Sequence, residues 1–153
     1  MKKRYTISRF QECLLAPPLA VCFYYLAVPD RLLDLGLALM LWFGALRFAH
    51  EGLHLAAFRY YGFNARLDLW KISATCSSEA VVNFRQILVI TLAPLIVMGA
   101  AVGIFYLLTG FLFLLTLLAI VVATSAGDIL FCFFALRHTK SLFRTRGLSL
   151  EVL

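Results

Sequence analysis

Four apolar runs, at about 10–28, 32–60, 86–108 and 111–136, fill most of this 153-residue chain. A helix crosses a bilayer with roughly 17–25 mainly apolar residues, and each run comes to that length. The composition agrees. Hydrophobic residues make up 63% of the chain and charged residues 14%, where soluble domains run near about half and about a quarter. These figures exclude a soluble globular fold, a disordered chain and a disulfide-built secreted scaffold. The expectation is an all-α polytopic membrane protein, a single domain over 1–153 with about four transmembrane helices and the lipid bilayer as its surroundings.

The first run is the shortest. Pro17 and Pro18 suit its first helical turn. No small-residue cleavage site precedes Pro29-Asp30, so it reads as a retained span rather than a signal peptide. Thr109-Gly110 is the turn signal between the last two runs and predicts a tight antiparallel hairpin of helices. The connection 61–85 is the only sizeable non-helical stretch expected. Leu67 and Leu69 alternate there with Arg66, Asp68 and Trp70, a pattern that fits a short membrane-surface strand or hairpin as well as an irregular interfacial loop. Cys13, Cys22, Cys76 and Cys132 form no C-x-x-C pair and read as buried thiols.

The net charge is +6. Lys2, Lys3, Arg4 and Arg9 precede the first run, Arg59, Arg66, Lys71 and Arg85 mark the 61–85 connection, and Arg137, Lys140, Arg144 and Arg146 follow the last run. Arg31 alone falls on the opposite side. The positive-inside rule therefore places both termini and the connection in the cytoplasm, as in a multi-pass protein of a bacterial plasma membrane. The same rule accounts for the basic balance, and no nucleic-acid partner is expected.

Within the second run stands His50-Glu51-Gly52-Leu53-His54. On a helix at about 100° per residue, His54 sits about 40° round from His50, and Glu51 about 100° round. Two imidazoles so placed can hold one metal ion, with the carboxylate beside it. Zinc takes such nitrogens, needs a third protein ligand and keeps one position open for water when catalytic. Glu51 would then be the general base. A charged group at mid-membrane costs about 2.5–3.5 kcal/mol on insertion scales, so polar residues here call for a functional reason.

Outside the motif, Asp128 is the one His, Asp or Glu deep within a predicted span. His54 lies five residues before Arg59 and Asp128 nine before Arg137, the cations that mark the cytoplasmic ends of their runs. Both therefore fall on the order of 10 Å below the same surface, on helices that run the same way, and Asp128 is the expected third ligand. Thr124 and Ser125 share its helix face and are candidates to orient its carboxylate. His138 lies beyond the membrane among basic residues and reads as a surface histidine. Arg47 is four residues before Glu51. It reads first as an ion-pair partner that lowers the insertion cost of Glu51 and second as a stabiliser of developing oxyanion charge; pairing with Asp128 is a further structural alternative. The rival functional class is a non-catalytic membrane scaffold or binding protein that retains a metal or a polar cluster. A haem protein lacks opposed histidines on different spans, and an ion carrier lacks repeat symmetry.

With these residues in view, the chain resembles a known family. Ala49-His50-Glu51-Gly52-Leu53-His54, followed by Phe58 and Gly62, is similar to the H-E-x-x-H-x-x-x-F-x-x-x-G opening of the putative zincin-peptidase membrane family, which is related in plan to the site-2 proteases. Ala93-Pro94-Leu95 and Gly127-Asp128 match its later features in order, and the resemblance covers about 45–135. It implies an intramembrane zinc metalloprotease with one zinc ion per chain, held by His50, His54 and Asp128. Glu51 would be the catalytic acid/base and a transmembrane protein the substrate. It does not specify a regulatory membrane partner or a homo-oligomer. Site-2 proteases carry Asp followed by Gly in an Asn-Pro-containing segment, whereas here Gly127 precedes Asp128, and Thr124-Ser125 stand where Asn is expected.

Overall fold

The computed structural model describes residues 4–6, 32–70, 73–146 and 149–153. The first predicted span, about 10–28, lies outside the described residues. The second is a continuous helical rod from Leu32 to Tyr60, 29 residues long. It comprises α1 (Leu32–Leu41), a π-helical turn (Trp42–Leu46) and α2 (Arg47–Tyr60). The π turn is closed by the Arg47 N–H donating to the Trp42 carbonyl, five residues back. Gly62, at φ 76°, ends the rod. The Gly62 N–H reaches the Arg59 carbonyl and the Phe63 N–H reaches the Phe58 carbonyl, the paired bonds of a Schellman cap, whose left-handed residue favours glycine.

The third predicted span is α3 (Phe84–Thr109). Asn83 starts it with a reciprocal cap: its side chain accepts from the Gln86 N–H, and the Gln86 side chain accepts from the Asn83 N–H. Gly110, at φ 68°, stops it, and the tight helical turn predicted at Thr109-Gly110 is present. Leu32–Tyr60 and Phe84–Thr109 are long and apolar enough to cross a membrane. Their outer faces carry bare Leu33, Met40, Ile96 and Leu107, as suits a membrane protein surrounded by lipid.

The fourth predicted span, 111–136, is not one helix. It is α4 (Phe113–Thr124) and α5 (Ala126–Leu136), bent by 44° at Ser125. The Thr124 hydroxyl donates back to the Ile120 and Val121 carbonyls at 2.8 and 3.1 Å, an arrangement that bends helices, and Gly127 follows. Among the described residues there are thus two candidate spans, or three if the bent pair counts as one.

The 61–85 connection folds as a hairpin. Strands β2 (Ala65–Trp70) and β3 (Ser73–Ser78) pair antiparallel, from Ala65 opposite Ser78 to Trp70 opposite Ser73. The all-α expectation is corrected further along the chain. A second sheet runs in the order β1 (Arg4–Thr6), β6 (Ser149–Val152), β5 (Phe143–Arg146), β4 (Val81–Val82). The residues after α5 therefore form strands as well, and the fold is mostly helical with small strands. Thr145 ties this sheet to the connection: its N–H donates to the Ala80 carbonyl and its hydroxyl to the Ser78 carbonyl.

Two apolar clusters form. One packs Ala57 and Phe58 of α2, Ile87 and Ile90 of α3, Ala135 of α5 and Phe143 of β5. The other packs Ala38, Trp42, Met98, Val102, Leu117 and Val121. Along the rod, His50 and His54 fall between the residues that enter one cluster and those that enter the other.

Candidate metal centre

α2 presents His50 and His54 on one face, one turn apart, and both are buried. Their rings meet edge to face, with centroids 5.0 Å apart. From α5, Asp128 comes between them. His50 Nε2 lies 3.3 Å from one carboxylate oxygen, and His54 Nε2 lies 3.4 Å from the other. One donor atom from each of the three residues can be chosen so that all lie within 4.8 Å of one another. The sequence argument from depth and helix direction placed these three residues together, and they are together.

Each histidine–carboxylate contact has the spacing of two ligands on one ion, with the two histidines facing different oxygens of Asp128. Direct N–H···O hydrogen bonds cluster near about 2.9 Å, shorter than either contact here. Bonds of about 2.0–2.1 Å to a tetrahedral zinc ion put neighbouring donors about 3.3–3.4 Å apart. Two imidazole nitrogens and one carboxylate are a donor set zinc accepts, and three protein ligands leave a position for water.

The donors are themselves held. His54 donates from Nδ1 to the Ile90 carbonyl of α3 at 2.8 Å, so in the neutral ring Nε2 carries the lone pair and faces Asp128. His50 has no hydrogen-bond partner at Nδ1. The Trp42 ring from the π turn packs against it instead, edge to face, with centroids 6.1 Å apart.

Glu51 is half-buried beside the pair, and its Oε2 accepts from the Cys76 backbone N–H of β3 at 2.7 Å. Spacing alone gave no sign of this contact, because the donor is a main-chain group on a strand distant in sequence. Arg47 begins α2, one turn before Glu51, and is half-buried. The Thr124 hydroxyl is engaged with carbonyls of its own helix. Ser125 sits fully buried at the bend with no partner for its hydroxyl. Neither hydroxyl bonds the Asp128 carboxylate in this structure. His138 bonds the Phe134 carbonyl through Nδ1 and lies outside the cluster.

Phe58 and Gly62, four and eight residues beyond His54, now have physical roles. Phe58 is buried in the first apolar cluster, and Gly62 closes the helix that carries the histidines.

Neither the curated proteins nor the solved structures contain a match to this chain. A family described as putative zincin peptidase matches residues 43–143, well over half of the chain, and that segment holds both histidines, Glu51 and Asp128. The chain therefore belongs to the putative zincin peptidase family, a membership that points to zinc metallopeptidase activity.

Proposed function

We propose that the protein is a zinc-dependent intramembrane endopeptidase, similar in plan to the site-2 proteases, that hydrolyses a peptide bond in or near a transmembrane segment of a membrane-protein substrate. The observation that carries this reading is the meeting of His50, His54 and Asp128 on helices from apolar, membrane-type segments. A peptidase centre placed there acts on chains that share the bilayer. The charge distribution supports an orientation with both termini and the hairpin in the cytoplasm; the membrane in this proposal is a bacterial plasma membrane.

His50, His54 and Asp128 would hold the ion. When bound, zinc acidifies a water molecule and polarises the scissile carbonyl. Glu51 takes the proton of the attacking water on its carboxylate and delivers it to the leaving amine nitrogen. The Cys76 N–H holds the Glu51 carboxylate in place beside the histidines. Ile90, through its carbonyl, keeps the His54 lone pair directed at the ion position.

A scaffold that kept the metal for stability alone would be expected to close the site with a fourth protein ligand. The described residues bring three together, which favours catalysis. The test is reconstitution of the full chain in liposomes with a set of single-span membrane proteins. Cleavage that chelation stops and zinc restores supports the proposal. An active preparation indifferent to chelation would sink it.

A further inference from the structure

The two histidines of the site are anchored differently, and the difference traces to α3. His54 Nδ1 is 2.8 Å from the Ile90 carbonyl. A carbonyl oxygen can only accept, so in the neutral ring the proton sits on Nδ1 and the Nε2 lone pair faces the carboxylate. Ile90 belongs to the continuous helix Phe84–Thr109. In such a helix its carbonyl would accept the N–H of the residue four ahead. That residue is Pro94, which has no N–H and whose ring crowds the carbonyl four residues back. Ile90 and Pro94 are both buried, so solvent does not complete the carbonyl, and His54 does.

We propose that Pro94 is a positioning residue for the metal centre. By removing the helical donor to the Ile90 carbonyl, it reserves that carbonyl for His54 and fixes the tautomer and ring plane of a metal ligand. The inference rests on the metallopeptidase reading for its purpose, but its geometry is independent of any ion. Proline inside a helix weakens the helix, whereas truncating this buried ring leaves a cavity, so the melting temperature does not report the positioning role. The His54 tautomer does, because a merely structural proline would leave it as it is.

The experiment uses the full chain purified in detergent as wild type, Pro94→Ala and Pro94→Gly. Histidine-selective ¹⁵N NMR on metal-free protein, at a pH where the rings are neutral, reads the His54 tautomer. Competition against a chelator reads zinc affinity. Wild type should show His54 in the Nδ1–H form. In Pro94→Ala the new amide competes for the Ile90 carbonyl, His54 becomes a mixture of tautomers, and zinc affinity falls about 10–100-fold. Pro94→Gly restores the same amide with less helix propensity, so it should lose affinity whatever its melting temperature. The tautomer is read directly on folded protein, so the test stays decisive where the cavity left by either substitution lowers the melting temperature. Wild-type tautomer and unchanged zinc affinity in either folded variant would overturn the inference. If wild type binds no zinc but the tautomers differ as stated, the metallopeptidase reading fails and the positioning of His54 by Pro94 stands. If the tautomers do not differ, the positioning is wrong whatever zinc does.

Discussion

The Glu51 carboxylate accepts a hydrogen bond from the Cys76 backbone N–H at 2.7 Å, so the helix that carries the histidines and the hairpin 65–78 meet at Glu51. Glutamine keeps a side-chain oxygen that can accept the same bond but cannot take up the proton of water. Glu51→Gln should therefore leave metal content and melting temperature near wild type while peptide hydrolysis drops about 10²–10⁴-fold. Single-turnover cleavage assays beside elemental analysis check this. Undiminished hydrolysis in the variant would remove Glu51 from the chemistry.

Trp42 stands on the stripe of His50 because of the π turn. Eight residues of α-helix would set it about 80° round the axis, and absorbing one extra residue reduces the offset to about 20°. With no partner at His50 Nδ1, the Trp42 ring supports that imidazole from the side, while its Nε2 faces Asp128. Trp42→Ala should cost about 3–5 kcal/mol of stability and weaken zinc binding, and Trp42→Phe should restore most of both. Thermal unfolding and chelator competition measure the two effects. Full affinity in a folded alanine variant would show that the indole is not needed.

Ser125 provides a sharper contrast. Its hydroxyl is fully buried and unpartnered, and burying such a group costs about 1–3 kcal/mol in mutational data. Ser125→Ala should be neutral or stabilising and should leave zinc affinity alone. Had this hydroxyl oriented Asp128, the same substitution would weaken metal binding. Denaturation of the two proteins side by side, with zinc affinity measured on each, decides between these roles.

The metal cluster was legible because its signals are local. The i, i+4 spacing of His50 and His54 fixes a face, and the cations Arg59 and Arg137 serve as depth markers that bring Asp128 level with them. The hairpin at 65–78 was half legible, since alternation over five residues fits a strand and a loop alike. The bend at Ser125 was hidden because 111–136 is apolar throughout, and hydropathy does not record the back-bonding of Thr124. Strands Phe143–Arg146 and Ser149–Val152 were missed for another reason. They pair with each other and, further off in sequence, with Val81–Val82 and Arg4–Thr6, and at four residues each they are too short for a periodicity to announce them. The Glu51–Cys76 and His54–Ile90 bonds use main-chain atoms, which every residue has, and side-chain identity is silent about them. Pro94 was visible as a letter, but its consequence for Ile90 needed the position of His54.

The metal content of the detergent-purified full chain tests the central claim most directly, with wild type measured beside His54→Ala, Asp128→Ala and Glu51→Gln. The account predicts about one zinc per chain in wild type, as a three-ligand catalytic site requires. It predicts loss of that zinc in His54→Ala and Asp128→Ala and its retention in Glu51→Gln. No zinc in folded wild-type protein after supplementation, or full zinc in a folded Asp128→Ala, would contradict it.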